Sequence, residues 1–190
     1  MFNTNPFSVL SETIPPLAMQ GFIVAMIILI AFGTIVQMIN HKNLTYFFNN
    51  ARKAKLSATK KLGLGEKTSI IAKTTVVDIG TTSELGFGKR RLAHVLGMYG
   101  TILFWISSGV LVFGYTGIGK PNSEMWSTLW HIGAVLTCIG GYWFWFFVRV
   151  DVSAEAHPWY RIIKADLFVL ALLACANFGL AWSYTQFSGQ

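Results

Sequence analysis

Four long apolar runs that carry no charge in their interiors constrain this chain more than any other feature. The first, centred on Gly21 to Val36, extends from about Leu17 to Ile39. The second covers His94 to Tyr115, the third Trp130 to Val148 and the fourth Leu167 to Tyr184. A helix rises about 1.5 Å per residue and the hydrocarbon core of a bilayer is roughly 30 Å thick, so each run is long enough to cross with some tilt. Composition agrees: 53% of the residues are hydrophobic, 12% are charged and the mean hydropathy is +0.51, against about 25% charged in an ordinary soluble domain. The chain reads as one all-α integral membrane domain over 1–190, a four-helix bundle, with spans at about 17–39, 94–115, 130–148 and 167–184.

The placement of the basic residues predicts orientation. Of the 15 Lys and Arg, eleven fall in 41–91 and three (Arg149, Arg161, Lys164) between the third and fourth runs, leaving Lys120 alone on the opposite side. Positive loops stay in the cytoplasm, so both termini are expected outside and the long basic loop 41–91 is expected inside. The net charge of +7 is thereby explained by topology and not by nucleic acid. The segment Met1 to Glu12 has no basic stretch ahead of the first apolar run and does not read as a cleavable signal peptide.

Within the loop, Tyr46 to Lys61 interleaves Tyr46, Phe47, Phe48, Ala51, Ala54 and Leu56 with basic residues. It reads either as an amphipathic helix on anionic headgroups or as a solvated tether. After Gly63 and Gly65, the β-branched stretch Ser69 to Ile79 is expected to be a short extended piece or docking strand.

Histidine in a membrane is expensive and usually ligates a cofactor, relays protons or meets a quinone headgroup. His94 opens the second run, His131 opens the third, His41 ends the first, and His157 lies in the second basic loop. The orientation puts His41, His94 and His157 at the inner side and His131 at the outer, so His94 and His131 cannot share one haem. An inner haem iron would take His94 with His41 or His157, and an outer one His131 with Met19, Met125 or a ligand from another subunit. Gly97, Gly100, Thr101 and Ser108 in the second run and Gly133, Thr137, Gly140 and Gly141 in the third read as helix-packing stripes or as room for a porphyrin. The run Tyr142 to Phe147 reads as a lipid-facing aromatic belt, and Arg149, Arg161 and Lys164 as contacts to lipid or propionates. Cys138 and Cys175 have no CxxC spacing, which argues against a cysteine-held iron–sulfur cluster. No Ser-His-Asp set, phosphate loop, HExxH motif or buried carboxylate pair occurs, so hydrolase, nucleotide-driven pump and zinc protease have no support.

Two blocks carry a resemblance. Val76-Val77-Asp78-Ile79 through Gly88-Lys89-Arg90-Arg91-Leu92-Ala93-His94-Val95-Leu96-Gly97-Met98-Tyr99-Gly100, with its Arg91-x-x-His94 helix start, resembles the entry to the membrane subunits of nitrate reductase gamma, heterodisulfide reductase and quinone-interacting oxidoreductases. Trp130-His131-Ile132-Gly133-Ala134 through Gly140 and Arg149 is similar to a later helix of those subunits. The resemblance implies a cytochrome b-type or quinone-reactive anchor, an electron-transfer subunit and not a stand-alone enzyme. It would bind haem b, quinone or both, and relay electrons between the quinone pool and a cytoplasmic iron–sulfur partner in the plasma membrane. His94 takes the haem-ligand position, with His131 second and Arg91 beside the cofactor. The gamma-type subunits place two histidines on each of two helices, whereas this chain has one on each. The rival expectation is a non-redox accessory subunit that packs against other membrane subunits of a larger complex, such as a membrane monooxygenase. A membrane-surface recruiter working through the basic loop is a third.

Overall fold

A computed structural model describes residues 2–40, 42–58, 63–85, 88–117, 123–151 and 156–189. Its elements are α1 (Pro6–Thr13), α2 (Pro16–Asn40), α3 (Asn43–Ser57), α4 (Leu64–Lys73), α5 (Lys89–Gly114), α6 (Glu124–Trp143) and α7 (Asp166–Ser188). Wide π-type turns extend α4 over Thr74–Gly80 and α6 over Phe144–Val148, and a single 3-10 turn covers Ser83–Leu85. Four helices are long and apolar enough to cross a membrane: Pro16–Asn40, Lys89–Gly114, Glu124–Val148 and Asp166–Ser188. The protein is therefore an all-helical, multi-pass membrane protein, and no strand occurs among the described residues.

The stretch Ser69 to Ile79 is helical, against the extended reading. Gly63 starts the helix, with its backbone N–H donating to Glu66 Oε2 at 3.1 Å. β-branched residues lower helix propensity by only a few tenths of a kcal/mol each. With no partner strand to pair with, the local start signal wins.

The four spans do not contribute equally to a bundle. α5, α6 and α7 form the core, in which Phe104, Leu111, Trp130, Ala134 and Ala176 are buried together. α2 stands at its edge. Met19 is its single buried residue, and its tie to α5 lies near its start, where Gln20 donates to the Val112 carbonyl at 3.3 Å. α2 is apolar around its whole circumference, which suits lipid on all sides and gives no preferred packing face.

α5 and α6 approach through backbone. A Cβ placed on Gly133 would meet Phe104 N at 2.5 Å, and one on Gly100 would meet Thr137 N at the same distance. Gly140 lies closer still against the Gly97 backbone. Thr101 and Thr137 face each other across this seam with their hydroxyls 3.4 Å apart. These glycines therefore serve close helix packing, as small residues do between membrane helices.

The short helix α1 closes one end of the core. Asn5 caps it, accepting from Phe7 N at 2.9 Å, while its amide donates to the Tyr115 carbonyl at 3.0 Å. Proline at the next position is preorganised for a first turn. The Pro6 carbonyl accepts from Trp182 Nε1 and Gln186 Nε2, both at 3.0 Å. This plug buries the end of the bundle that holds His131.

Candidate functional site

A cavity of about 440 Å³ lies at the other end, between α5, α6 and α7. Its α5 wall follows one helical face: Arg90, His94, Gly97, Met98, Thr101 and Trp105 recur at spacings of three and four. Gly140 and Gly141 of α6 form its floor because they carry no side chain, and Phe144 extends it. Phe168, Leu172 and Leu173 of α7 close the far side. The wall is mostly apolar; its charged and imidazole side chains, Arg90 and His94, lie toward one end, and Thr101 and Thr137 lie further along the seam. Arg90 reaches Asp151 at 3.8 Å. His94 is exposed into this space and makes no hydrogen bond among the described residues.

Arg91, one residue on, points elsewhere: its Nε donates to the Thr81 carbonyl at 2.8 Å. Tyr99 makes a parallel contact, its hydroxyl donating to the Gly80 carbonyl at 2.6 Å. Together they hold the segment after α4 against the outside of α5, so it is Arg90, and not Arg91, that lines the cavity.

His131 is fully buried at the plugged end. Its Nδ1 lies 2.7 Å from the Ser127 carbonyl and its Nε2 2.7 Å from Ser183 Oγ. A carbonyl only accepts, so Nδ1 carries a proton and donates, and Nε2 takes the Ser183 hydroxyl proton. Phe2 and Trp130 pack edge-on to the ring at 5.2 and 4.9 Å. An axial-ligand role for His131 would require Ser183 to be displaced. Ser183→Ala is expected to lower stability by about 1–3 kcal/mol, because the imidazole then loses a buried partner. Thermal unfolding in detergent measures this, and an unchanged midpoint would refute the assignment.

Gly97 abuts Gly140, so the helix rise places His94 and His131 about 18 Å apart along the bundle. His157 is half-buried in the 156–165 connection and is absent from the cavity wall, and its carbonyl accepts from Arg149 Nη1 at 3.5 Å. His41 lies outside the described residues. Met98, the other soft donor in the cavity, follows His94 by one turn on the same face of the same helix. Two axial ligands must approach iron from opposite sides, which this pair cannot do. Among the described residues the cavity offers one imidazole, that of His94.

The site residue that sequence reasoning misread is Arg149. It is fully buried and held by Asp166 through Nε to Oδ1 at 3.0 Å and Nη2 to Oδ2. The Pro158 carbonyl at 2.8 Å and the Arg161 carbonyl take its remaining protons together with His157. Trp145 stacks on the guanidinium at 4.4 Å. Arg149 is thus a clamp on the 156–166 connection and not a headgroup contact. The wide turn at the end of α6, where Arg149 N reaches back to the Phe144 carbonyl at 2.9 Å, aims it inward. The same turn splits the aromatic run: Trp145 is buried and Phe144 lines the cavity, while Tyr142, Phe146 and Phe147 remain exposed.

Comparison with protein-family models, curated proteins and solved structures found no match.

Proposed function

We propose that this chain is a membrane subunit of a respiratory oxidoreductase that binds a prenylated quinone in the α5–α6–α7 cavity and serves an iron–sulfur partner at the His94 end. The observation that carries this reading is a mostly apolar cavity with its charged and imidazole side chains, Arg90 and His94, at one end. Its volume falls in the range of small-molecule sites. A flat ring with a long apolar tail and carbonyl oxygens matches such a wall better than a polar metabolite does. The excess of basic residues in 41–91 and 149–166 supports a cytoplasmic His94 end, and in this reading the membrane is the plasma membrane.

When bound, a quinone supplies two-electron, two-proton chemistry. His94 has a ring nitrogen to offer a carbonyl oxygen and can hold or pass a proton there. Arg90 adds positive charge at the same end. Gly97, Gly140 and Gly141 leave a flat floor, and Met98, Trp105 and Phe144 exclude water from the ring.

Titrating the detergent-purified chain with a decyl-substituted benzoquinone tests this. Saturable tryptophan quenching is expected, carried mainly by Trp105 and lost in Trp105→Phe. His94→Ala is expected to weaken binding about tenfold, the size of one lost hydrogen bond in a dry site. Quenching without saturation would overturn the proposal. A sharp b-type band in the dithionite-reduced minus oxidised spectrum, abolished by His94→Ala, would replace quinone by haem.

A second reading, a non-redox accessory subunit of a larger membrane complex, is favoured by one observation. α2 exposes large apolar side chains such as Leu17, Phe22 and Phe32 around its surface and is free to meet helices of another subunit. That role predicts no saturable quinone quenching and full tolerance of His94→Ala.

A further inference from the structure

The helix that follows α2 has a face that the quinone reading leaves unused. α2 ends at Asn40, and Lys42 adopts a left-handed conformation, φ 52° and ψ 23°, before α3 starts at Asn43. A residue in that region terminates one helix and turns the chain, so α3 cannot continue as a straight stalk along the α2 axis. It begins where the first span leaves the bilayer. Within it, Leu44, Phe47, Phe48 and Ala51 recur at the three- and four-residue spacings that define one face. Phe47 and Phe48 pack edge-on, their ring centres 5.6 Å apart, and each is 64% exposed. α3 contains Arg52, Lys53 and Lys55 and no acidic residue. No described element packs on that apolar face.

We propose that α3 lies on the bilayer surface, with Leu44, Phe47, Phe48 and Ala51 at the boundary with the acyl chains and Arg52, Lys53 and Lys55 on anionic lipid headgroups. Three observations select lipid as the occupant. The helix is joined to a membrane span by two residues, which holds it at the interface. Its charge is of one sign and complements an anionic leaflet. Its apolar face occupies the first two turns and the basic residues Arg52, Lys53 and Lys55 follow it, so one short helix carries both the apolar and the cationic groups of helices that lie in the interface plane.

The test uses the full chain with Cys138→Ser and Cys175→Ser, labelled with nitrobenzoxadiazole at Phe47→Cys, Phe48→Cys, Asn49→Cys or Asn50→Cys. Each is reconstituted into phosphatidylcholine vesicles with or without phosphatidylglycerol, and quenching is read from a nitroxide carried high on the acyl chain. Labels at positions 47 and 48 are expected to be quenched several-fold more than those at 49 and 50 when anionic lipid is present. At about a tenfold population change per 1.4 kcal/mol and roughly 1 kcal/mol per basic residue, R52Q/K53Q/K55Q should lower the ratio of surface-bound to released α3 on the order of a hundredfold. Omitting phosphatidylglycerol should act in the same direction. Equal quenching at all four positions would overturn the proposal and describe a solvated tether. So would quenching insensitive to both lipid charge and the triple substitution. Labels at 47 and 48 that remain in water in both lipids would also overturn it, and would leave the face to a soluble protein.

Discussion

Asp166→Ala is expected to destabilise the protein by about 3–5 kcal/mol, the largest single-residue effect anticipated in this chain. Arg149 has five N–H donors, and all five are engaged by Asp166 and the carbonyls of His157, Pro158 and Arg161. Asp166 is 4% exposed and also accepts from Ile163 N at 2.8 Å. Removing the carboxylate leaves a buried guanidinium facing only neutral carbonyls, and an unpaired buried charge is far more costly than the pair was favourable. The double variant Arg149→Met/Asp166→Leu is therefore expected to lose less than Asp166→Ala alone. Thermal unfolding of the parent, Arg149→Met, Asp166→Leu and the double variant in one detergent completes the cycle. Limited proteolysis should find the 156–165 connection opened in Asp166→Ala. Single variants within about 0.5 kcal/mol of the parent would show that the clamp contributes little.

Gly140→Ala should cost about 1–3 kcal/mol, and Gly140→Leu more, because the helices must separate along the whole seam. A Cβ there would lie 2.6 Å from Gly97 Cα and 2.8 Å from the Ala93 carbonyl oxygen, and these are backbone atoms that cannot swing aside. Gly109→Ala supplies the control: it lies on α5 with nothing within 4 Å of its would-be Cβ. Helix propensity alone favours that exchange by roughly 1 kcal/mol. Unfolding midpoints that move in opposite directions for the two variants would confirm that close approach is what Gly140 serves. A shared direction would refute it. Gly140 also forms part of the cavity floor, so its alanine variant should weaken quinone quenching.

The four spans were legible in the sequence because lipid forces backbone hydrogen bonds inward and leaves long uncharged runs as the trace. Their ends were less so. α5 begins at Lys89 and α6 at Glu124, since charged and polar first turns are helical without being apolar. The glycine seam was readable from spacing, and His94 from its rarity. The cavity was not, because it needs α7 to bring Phe168 and Leu172 opposite α5, and nothing in a linear pattern says which faces meet. Arg149 and Asp166 were hidden for another reason. Each sits at the edge of an apolar run, where a basic residue is ordinarily a topology signal, and only the wide turn after Trp143 directs the guanidinium inward. α1 was not read in the sequence, because eight residues carry too weak a pattern to stand out beside a 25-residue span.

The plug at the His131 end carries a consequence for biogenesis. Asn5 and Pro6 are fixed by Tyr115, Trp182 and Gln186, so residues that precede α2 in the chain find their places only after α7 has been inserted. Until then the polar ring of His131 lacks its Ser183 partner, and Trp130 is held by Ser108 and Phe104 of α5 alone. The C-terminal part of α7, by bringing Ser183 to His131 and by holding Pro6 so that Phe7 packs on Trp130, is the step that locks assembly.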